Sequence, residues 1–296
     1  MERLREFDKE CFDHKISVMI AASSLIGGVN LTASKILIIN GGPHKGNTWR
    51  LTEEVKKILQ SFDQTIVFKE AHLSDVDLPF CIGCSNCFRK GHKTCPHNKI
   101  VQPIMDLIEE SDAVVFSVPC FQGHLPGILK NFTDHMAFML HRPRYFTKKA
   151  LVISTTGGVS ASSTTKALAA TLSGWGFNKC YQLPIRALSW NAYEPTKKDL
   201  KKAHDMTKKF YVDVKSGKIH VPSIGVLIPF NLFQAMCVEN KGETDYPTED
   251  NYFWPKYSGM RYAPGIPMTP TKKLLGWFIY LIGKKLSKSM VITYIE

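Results

Sequence analysis

The sequence predicts an α/β fold in which a five-stranded parallel sheet carries helices on both faces. Three observations carry this expectation. Apolar runs without polar alternation recur along the chain, as strands covered on both faces require. Segments of helical apolar spacing separate them, and strands alternating with helices build a parallel sheet. Three runs end in Gly- or Ser-rich loops, 41–48, 119–126 and 155–162, and sheets of this kind bind ligands at the carboxyl ends of their strands.

Residues 1–34 read as an extension, charged and then apolar, without evident chemistry. The first strand is Ile36-Leu37-Ile38-Ile39, which breaks at Gly41-Gly42-Pro43 before a helical pattern starts near Thr48. A strand, a Gly-rich turn and a helix N-terminus present outward N–H groups and a favourable dipole to an anion. Lys45 and His44 would add charge there, and Thr48 a hydroxyl. The plainer alternative is a turn that binds nothing. Two phosphate loops are excluded. Asn47 stands where G-x-x-x-x-G-K-[ST] needs its lysine, and G-x-G-x-x-G is missing although Glu70 follows the next strand. A single monophosphate, as in a flavin mononucleotide, fits best.

Leu51, Val55, Ile58 and Leu59 have helical spacing, and Thr65–Phe68 reads as a second buried strand. An irregular segment from about Glu70 to Asn98 follows, a length that inside compact domains marks function. It holds Cys81-Ile-Gly-Cys84-Ser-Asn-Cys87 and then Cys95-Pro96. Ile104, Met105, Leu107 and Ile108 give the next helix, and Ala113–Val118 the third strand, ending at Pro119-Cys120-Phe121-Gln122-Gly123. Ile128, Leu129, Phe132, Met136 and Met139 predict one helix. The fourth strand, Ala150–Ser154, ends at Thr155-Thr156-Gly157-Gly158. After a Ser/Ala-rich helix come a weaker fifth strand, Lys179–Ile185, and a helix over about 195–215. In the flavodoxin-like order 2-1-3-4-5, strands 1 and 3 flank the switch point, and the three loops surround one crevice.

The expected organisation is an extension (1–34), a flavodoxin-like doubly wound domain (35–216) and a C-terminal appendage (217–296). In the appendage, 247–270 reads as an ordered aromatic wrap. The stretch from Lys272 to Lys285 reads as a short apolar helix between lysine pairs, with Leu274, Trp277, Phe278 and Leu281 expected to be buried against the domain or a partner. Membrane-surface attachment of that helix is the alternative.

The chain has 296 residues, 44% hydrophobic, with net charge +12 and eight cysteines. The charge is spread along helices and the tail, and no nucleic-acid motif accompanies it, so the expected partners exclude nucleic acid. Acidic residues precede the apolar stretch 16–29, unlike a secretory signal, and a cytoplasmic protein with reduced thiols is expected. Clustered cysteines then point to metal or redox work before disulfides.

At these residues the chain resembles the NADPH-dependent FMN reductase and iron–sulfur flavoprotein branch of the flavodoxin-like superfamily. The matching pieces are GGPHKGNT, SVPCFQG, GILKNFTDH and TTGG, and the match covers about Lys35 to Ile185. The resemblance implies phosphate contacts from Pro43, Lys45, Asn47 and Thr48. It implies flavin-ring contacts from Pro119, Cys120, Phe121, Gln122 and Gly123, and from Thr155, Thr156, Gly157 and Gly158. Ser and Arg commonly stand in the family where Gly42 and His44 stand here. The implied activity is an FMN-dependent NAD(P)H oxidoreductase passing electrons from a nicotinamide to a small acceptor such as a flavin or quinone. Such chemistry rests on the cofactor and needs no side-chain acid, base or nucleophile. A homodimer is implied as well. The cysteine loop resembles the iron–sulfur flavoprotein pattern C-x2-C-x2-C-x(n)-C, with Cys81, Cys84, Cys87 and Cys95 as ligands of a [4Fe–4S] cluster in an electron carrier. A non-catalytic module whose loop holds zinc is the alternative from another class, with His92 and His97 nearby.

Overall fold

The structure is a computed structural model and describes residues 34–239 and 248–287. The extension expected over residues 1–34 lies outside the described residues, Ser34 excepted. Five parallel strands form one sheet in the order β2-β1-β3-β4-β5. They are β1 (Lys35–Asn40), β2 (Val67–His72), β3 (Ala113–Ser117), β4 (Lys149–Thr156) and β5 (Lys179–Arg186). The unbroken apolar runs are explained by burial on both faces: Ile36 to Ile39 and Ala113 to Phe116 are all but inaccessible. On one face Leu37, Ile39, Val114, Phe116 and Val152 join Leu129, Phe132 and Trp175. On the other, Ile36, Ile38, Val115 and Ile153 join Leu51, Val55 and Phe210. Alternate residues of each strand thus enter opposite cores, as the two-residue pleat demands.

The covering helices are α1 (Asn47–Phe62), α3 (Asn98–Glu110), α4 (Gly127–His135), α6 (Ala161–Gly174) and α7 (Lys197–Lys215). Four-residue turns, α2 (Asn86–Arg89) and α5 (Phe138–His141), lie in the connections. Two expectations are corrected and one helix is added. Strand β2 starts at Val67 and runs to His72, because Thr65 is held in a turn by Asp63 through both its N–H and its hydroxyl, and as an edge strand it is exposed or half-buried throughout rather than buried. The helix expected over 128–139 is two helices, α4 and α5. Residues 224–239, unassigned from sequence, form helix α8.

The appendage continues through α9 (Glu249–Phe253) to α10 (Pro270–Ser287). It has its own apolar cluster, in which Phe230 of α8 meets Trp254, Tyr257 and Tyr262, with Phe146 of the sheet region packed against it. Helix α10 lies on α8 through Gly276, Ile279 and Gly283. An added Cβ at Gly283 would stand 2.8 Å from Ala235 Cβ. Leu274, Trp277, Phe278 and Leu281 are not packed against the domain as one half of the expectation had it: all four are exposed on this chain. Small residues are what let α10 approach α8 closely, so the large ones point away.

Candidate functional site

The carboxyl ends of the strands open into a cleft of about 670 Å³, walled by the loops that follow β1, β3, β4 and β5. Pro43, Asn47 and Thr48 line it from the first loop, Pro119, Cys120 and Phe121 from the second, and Thr155, Thr156, Gly157 and Gly158 from the third. Ten of the thirteen residues expected there therefore share one cavity. Lys45, Gln122 and Gly123 are not among its lining. The Lys45 ammonium sits over the Trp49 ring, 5.2 Å from its centroid. Gln122 and Gly123 form the tip of a two-residue hairpin closed by the Phe121–His124 bonds, with positive φ at both. Such turns need a left-handed backbone twice, which Gly accepts and Gln tolerates at a cost.

The first loop runs close to its neighbours because it has no side chains at Gly41 and Gly42. A Cβ at Gly41 would lie 2.8 Å from Leu129 Cδ2, and one at Gly42 would lie 3.0 Å from Pro119 Cγ. The loop ends on Gly46, and no side chain caps the N-terminus of α1. The first-turn amides of α1 therefore carry the positive end of the helix dipole into the cleft. Thr48 and Thr155 share a buried hydroxyl–hydroxyl bond of 2.6 Å, which fastens the first loop to the third. Asn40 accepts the Gly42 N–H through Oδ1, while its buried Nδ2 has no partner and lies at the cleft lining.

Sequence reasoning missed the fourth wall, Ala187 to Trp190. Its anchor is Asn47, whose Nδ2 donates to Ser189 O at 2.9 Å and whose Oδ1 accepts the Tyr193 N–H at 3.3 Å. Asn47 thus fits the position where a lysine would stand in a triphosphate loop. Its amide ties the β5 loop over the α1 N-terminus. Trp190 is fully exposed at the cleft edge, and Leu188 is exposed beside it. Glu70 is held by Lys56 at 2.5 Å and by His72 at 3.2 Å.

The cysteine segment between β2 and α3 forms a second, separate arrangement. Asn131 of α4 pins its start, donating Nδ2 to Leu78 O and Pro79 O and accepting the Cys81 N–H at 3.0 Å. Buried Arg142 donates to Cys87 O and to Asp250 of α9, and Asp250 also accepts from His141 Nδ1 at 2.7 Å. The appendage thereby holds the cysteine segment through one buried ion pair, a link with no signal in the sequence.

The four thiols lie near enough to bear on one another's ionisation. Burial, with the neighbouring thiols adding to it, pushes the Cys87 thiol up to about 11, although Arg142 pulls the other way. Burial also raises Cys95, against the His97 backbone N–H. The basic side chains of this segment therefore do not turn these two into reactive thiolates. The His97 Nδ1–H donates to His135 Nε2 at 2.9 Å, and His135 donates its own Nδ1–H to Asn131 O at 2.9 Å. Cys95 Sγ and donor atoms of His97 and His135 lie within 4.8 Å of one another, a set the sequence hides because His135 sits in the helix after β3. Burial, then Arg144, holds the His92 imidazole down to about 4, and its ring stacks on Phe138 at 4.9 Å.

Residues 34–190 match the family model described as NADPH-dependent FMN reductase, over half of the chain. The chain belongs to that family. It is an NAD(P)H-dependent flavin oxidoreductase of flavodoxin-like fold, with FMN as the family's cofactor. Within the family it is similar to an iron-sulfur flavoprotein of Clostridioides difficile strain 630, at 29% identity over 62% of this chain and 80% of that one. An iron-sulfur flavoprotein of Archaeoglobus fulgidus is 36% identical over 34% of this chain and 47% of its own length. Among solved structures, an NAD(P)H:quinone oxidoreductase from Methanothermobacter marburgensis superposes with a TM-score of 0.48 at 15% identity, over 60% of this chain and 98% of that one. Among the described residues, no helix is long and apolar enough to cross a membrane.

Proposed function

We propose that FMN binds in the cleft, with its phosphate on the first-turn amides of α1 and its ring between the Pro119–Phe121 and Thr155–Gly158 loops. The observation that carries this reading is the junction of an uncapped helix N-terminus with a cleft at the β1/β3 switch point. The unpartnered Asn40 Nδ2 and the side-chain-free Gly41-Gly42 turn fit a bound oxygen-rich group, and Thr48 lies at the same end. Bound FMN supplies hydride acceptance from a nicotinamide and electron delivery to a second substrate. The protein's part is to hold the ring, to aim it, and to leave one face open.

That open face is edged by Phe121 and Trp190, which give flat apolar rings a place to stack. We therefore take the acceptor to be a small planar molecule, a flavin or a quinone. Trp190→Ala should raise the KM for such an acceptor roughly fivefold, the value of one lost aromatic contact, while FMN stays bound. An unchanged KM would remove Trp190 from the substrate site. In this reading the working unit is a pair of copies in the cytoplasm, which the mass in solution tests. Residues 35–216 make up the flavin domain and 217–296 the appendage.

A second reading extends the first. Cys81, Cys84, Cys87 and Cys95 hold a [4Fe–4S] cluster that accepts single electrons. It is supported by the placement of all four cysteines on the one segment between β2 and α3 and by the relatives described as iron-sulfur flavoproteins. The tight Cys95–His97–His135 set suits a single ion such as zinc.

A further inference from the structure

We infer that the outward face of α10 docks on an anionic lipid surface. Helix α10 has 18 residues, and its two sides are both apolar but differ in size. Gly276, Ile279 and Gly283 face α8. Leu274, Trp277 and Phe278 are 66%, 51% and 59% exposed, and Leu281 and Ile282 on the next turn are exposed too. Five large apolar side chains thus stand on successive turns with no cover among the described residues. At 1.5 Å per residue the helix is about 27 Å long, a ridge rather than a single projecting side chain. Isolated exposed apolar residues need no explanation, but a contiguous patch marks an interaction site.

The charges choose the occupant. Lys273 precedes the ridge and Lys285 follows it, and the helix contains no Asp or Glu. The whole chain carries +12. A second copy seated on the same face by a twofold axis would set lysine against lysine with no carboxylate on the helix to offset them. A protein partner would have to be both apolar and acidic along the ridge. An anionic bilayer surface supplies both at once: acyl chains for Leu, Trp and Phe, and headgroup phosphates for the lysines. Trp and Lys also suit that boundary, one by its amphipathic ring and the other by a stem that lies along apolar surface while its head stays wet. The helix would lie in the interface.

The test uses full-length, FMN-loaded protein and co-sedimentation with vesicles of phosphatidylglycerol mixed into phosphatidylcholine, against phosphatidylcholine alone. The protein should bind the anionic vesicles about tenfold more tightly or better, and high salt should weaken that binding because lysine–headgroup attraction is screened. Trp277→Glu with Phe278→Glu should lose about tenfold or more of the binding with FMN content unchanged. Lys273→Glu with Lys285→Glu, which leaves the apolar ridge intact, should lose the preference for anionic lipid. Equal binding by wild type and both variants, or no binding by the wild type, would overturn the proposal. So would a wild-type dimer that the Trp277/Phe278 variant converts to monomer, since the face would then belong to a second copy.

Discussion

Replacing Arg142 by Met is expected to lower the stability of the fold by about 3–5 kcal/mol, because it leaves the buried Asp250 carboxylate without its guanidinium. Both side chains are nearly inaccessible, at 3% and 8% exposed, so solvent cannot replace the lost partner. His141 still donates to Asp250, which places the loss within that range rather than above it. The same change removes the donors on Cys87 O and Phe88 O, so the cysteine segment should loosen. The double variant Arg142→Met with Asp250→Leu should recover most of the stability, since an apolar pair of similar bulk often replaces a buried ion pair at little cost. It should not recover the grip on the segment. Denaturant midpoints of the three proteins, read beside the rate of proteolysis within 81–95, check both halves. A single-variant loss below about 1 kcal/mol, the level of an exposed ion pair, would contradict the account.

Anaerobically prepared protein should contain iron and acid-labile sulfide in similar amounts, and Cys84→Ser should lose both while keeping FMN. Cys84 is the informative position because it belongs to the four-thiol set and not to the Cys95–His97–His135 set. His135→Gln separates the alternatives from the other side. It should leave the iron in place, whereas protein that contains zinc and loses it in that variant holds a single ion on Cys95, His97 and His135 instead. Full flavin with neither metal would overturn both, and leave the segment a set of free thiols, of which the half-buried Cys84, Cys87 and Cys95 act as small hydrophobes.

The centre of the sheet was legible because β1, β3 and β4 are buried on both faces, and only apolar runs such as Ile36–Ile39 survive there. The cleft was legible for a related reason: ligand loops in such a sheet follow strands, so each Gly- or Thr-rich strand end was a candidate by position. The Ala187–Trp190 wall was missed because β5 is half exposed and its loop carries no glycine signal. What could have drawn attention to it is a tryptophan directly after a strand end. His135 and Arg142 could not be linked to the cysteines, since the contacts arise from α4 and α5 returning across the segment 38 to 55 residues later in the chain. The outward ridge of α10 was misread for want of the second helix. Its Gly276 and Gly283 reveal which side is packed only once α8 is known to lie there.

The phosphate end of the cleft decides the account. Titration of flavin-free protein with FMN and with riboflavin isolates it, because the two ligands differ only in the phosphate. Charge-assisted bonds from the α1 amides and a hydroxyl bond from Thr48 should be worth roughly 3 kcal/mol together, so FMN should bind about a hundredfold more tightly than riboflavin. Thr48→Ala should remove only the hydroxyl share of that difference, about 1 kcal/mol, while leaving riboflavin binding nearly unchanged. Equal affinity for the two flavins would contradict the placement of the phosphate on α1, and with it the reading of the cleft.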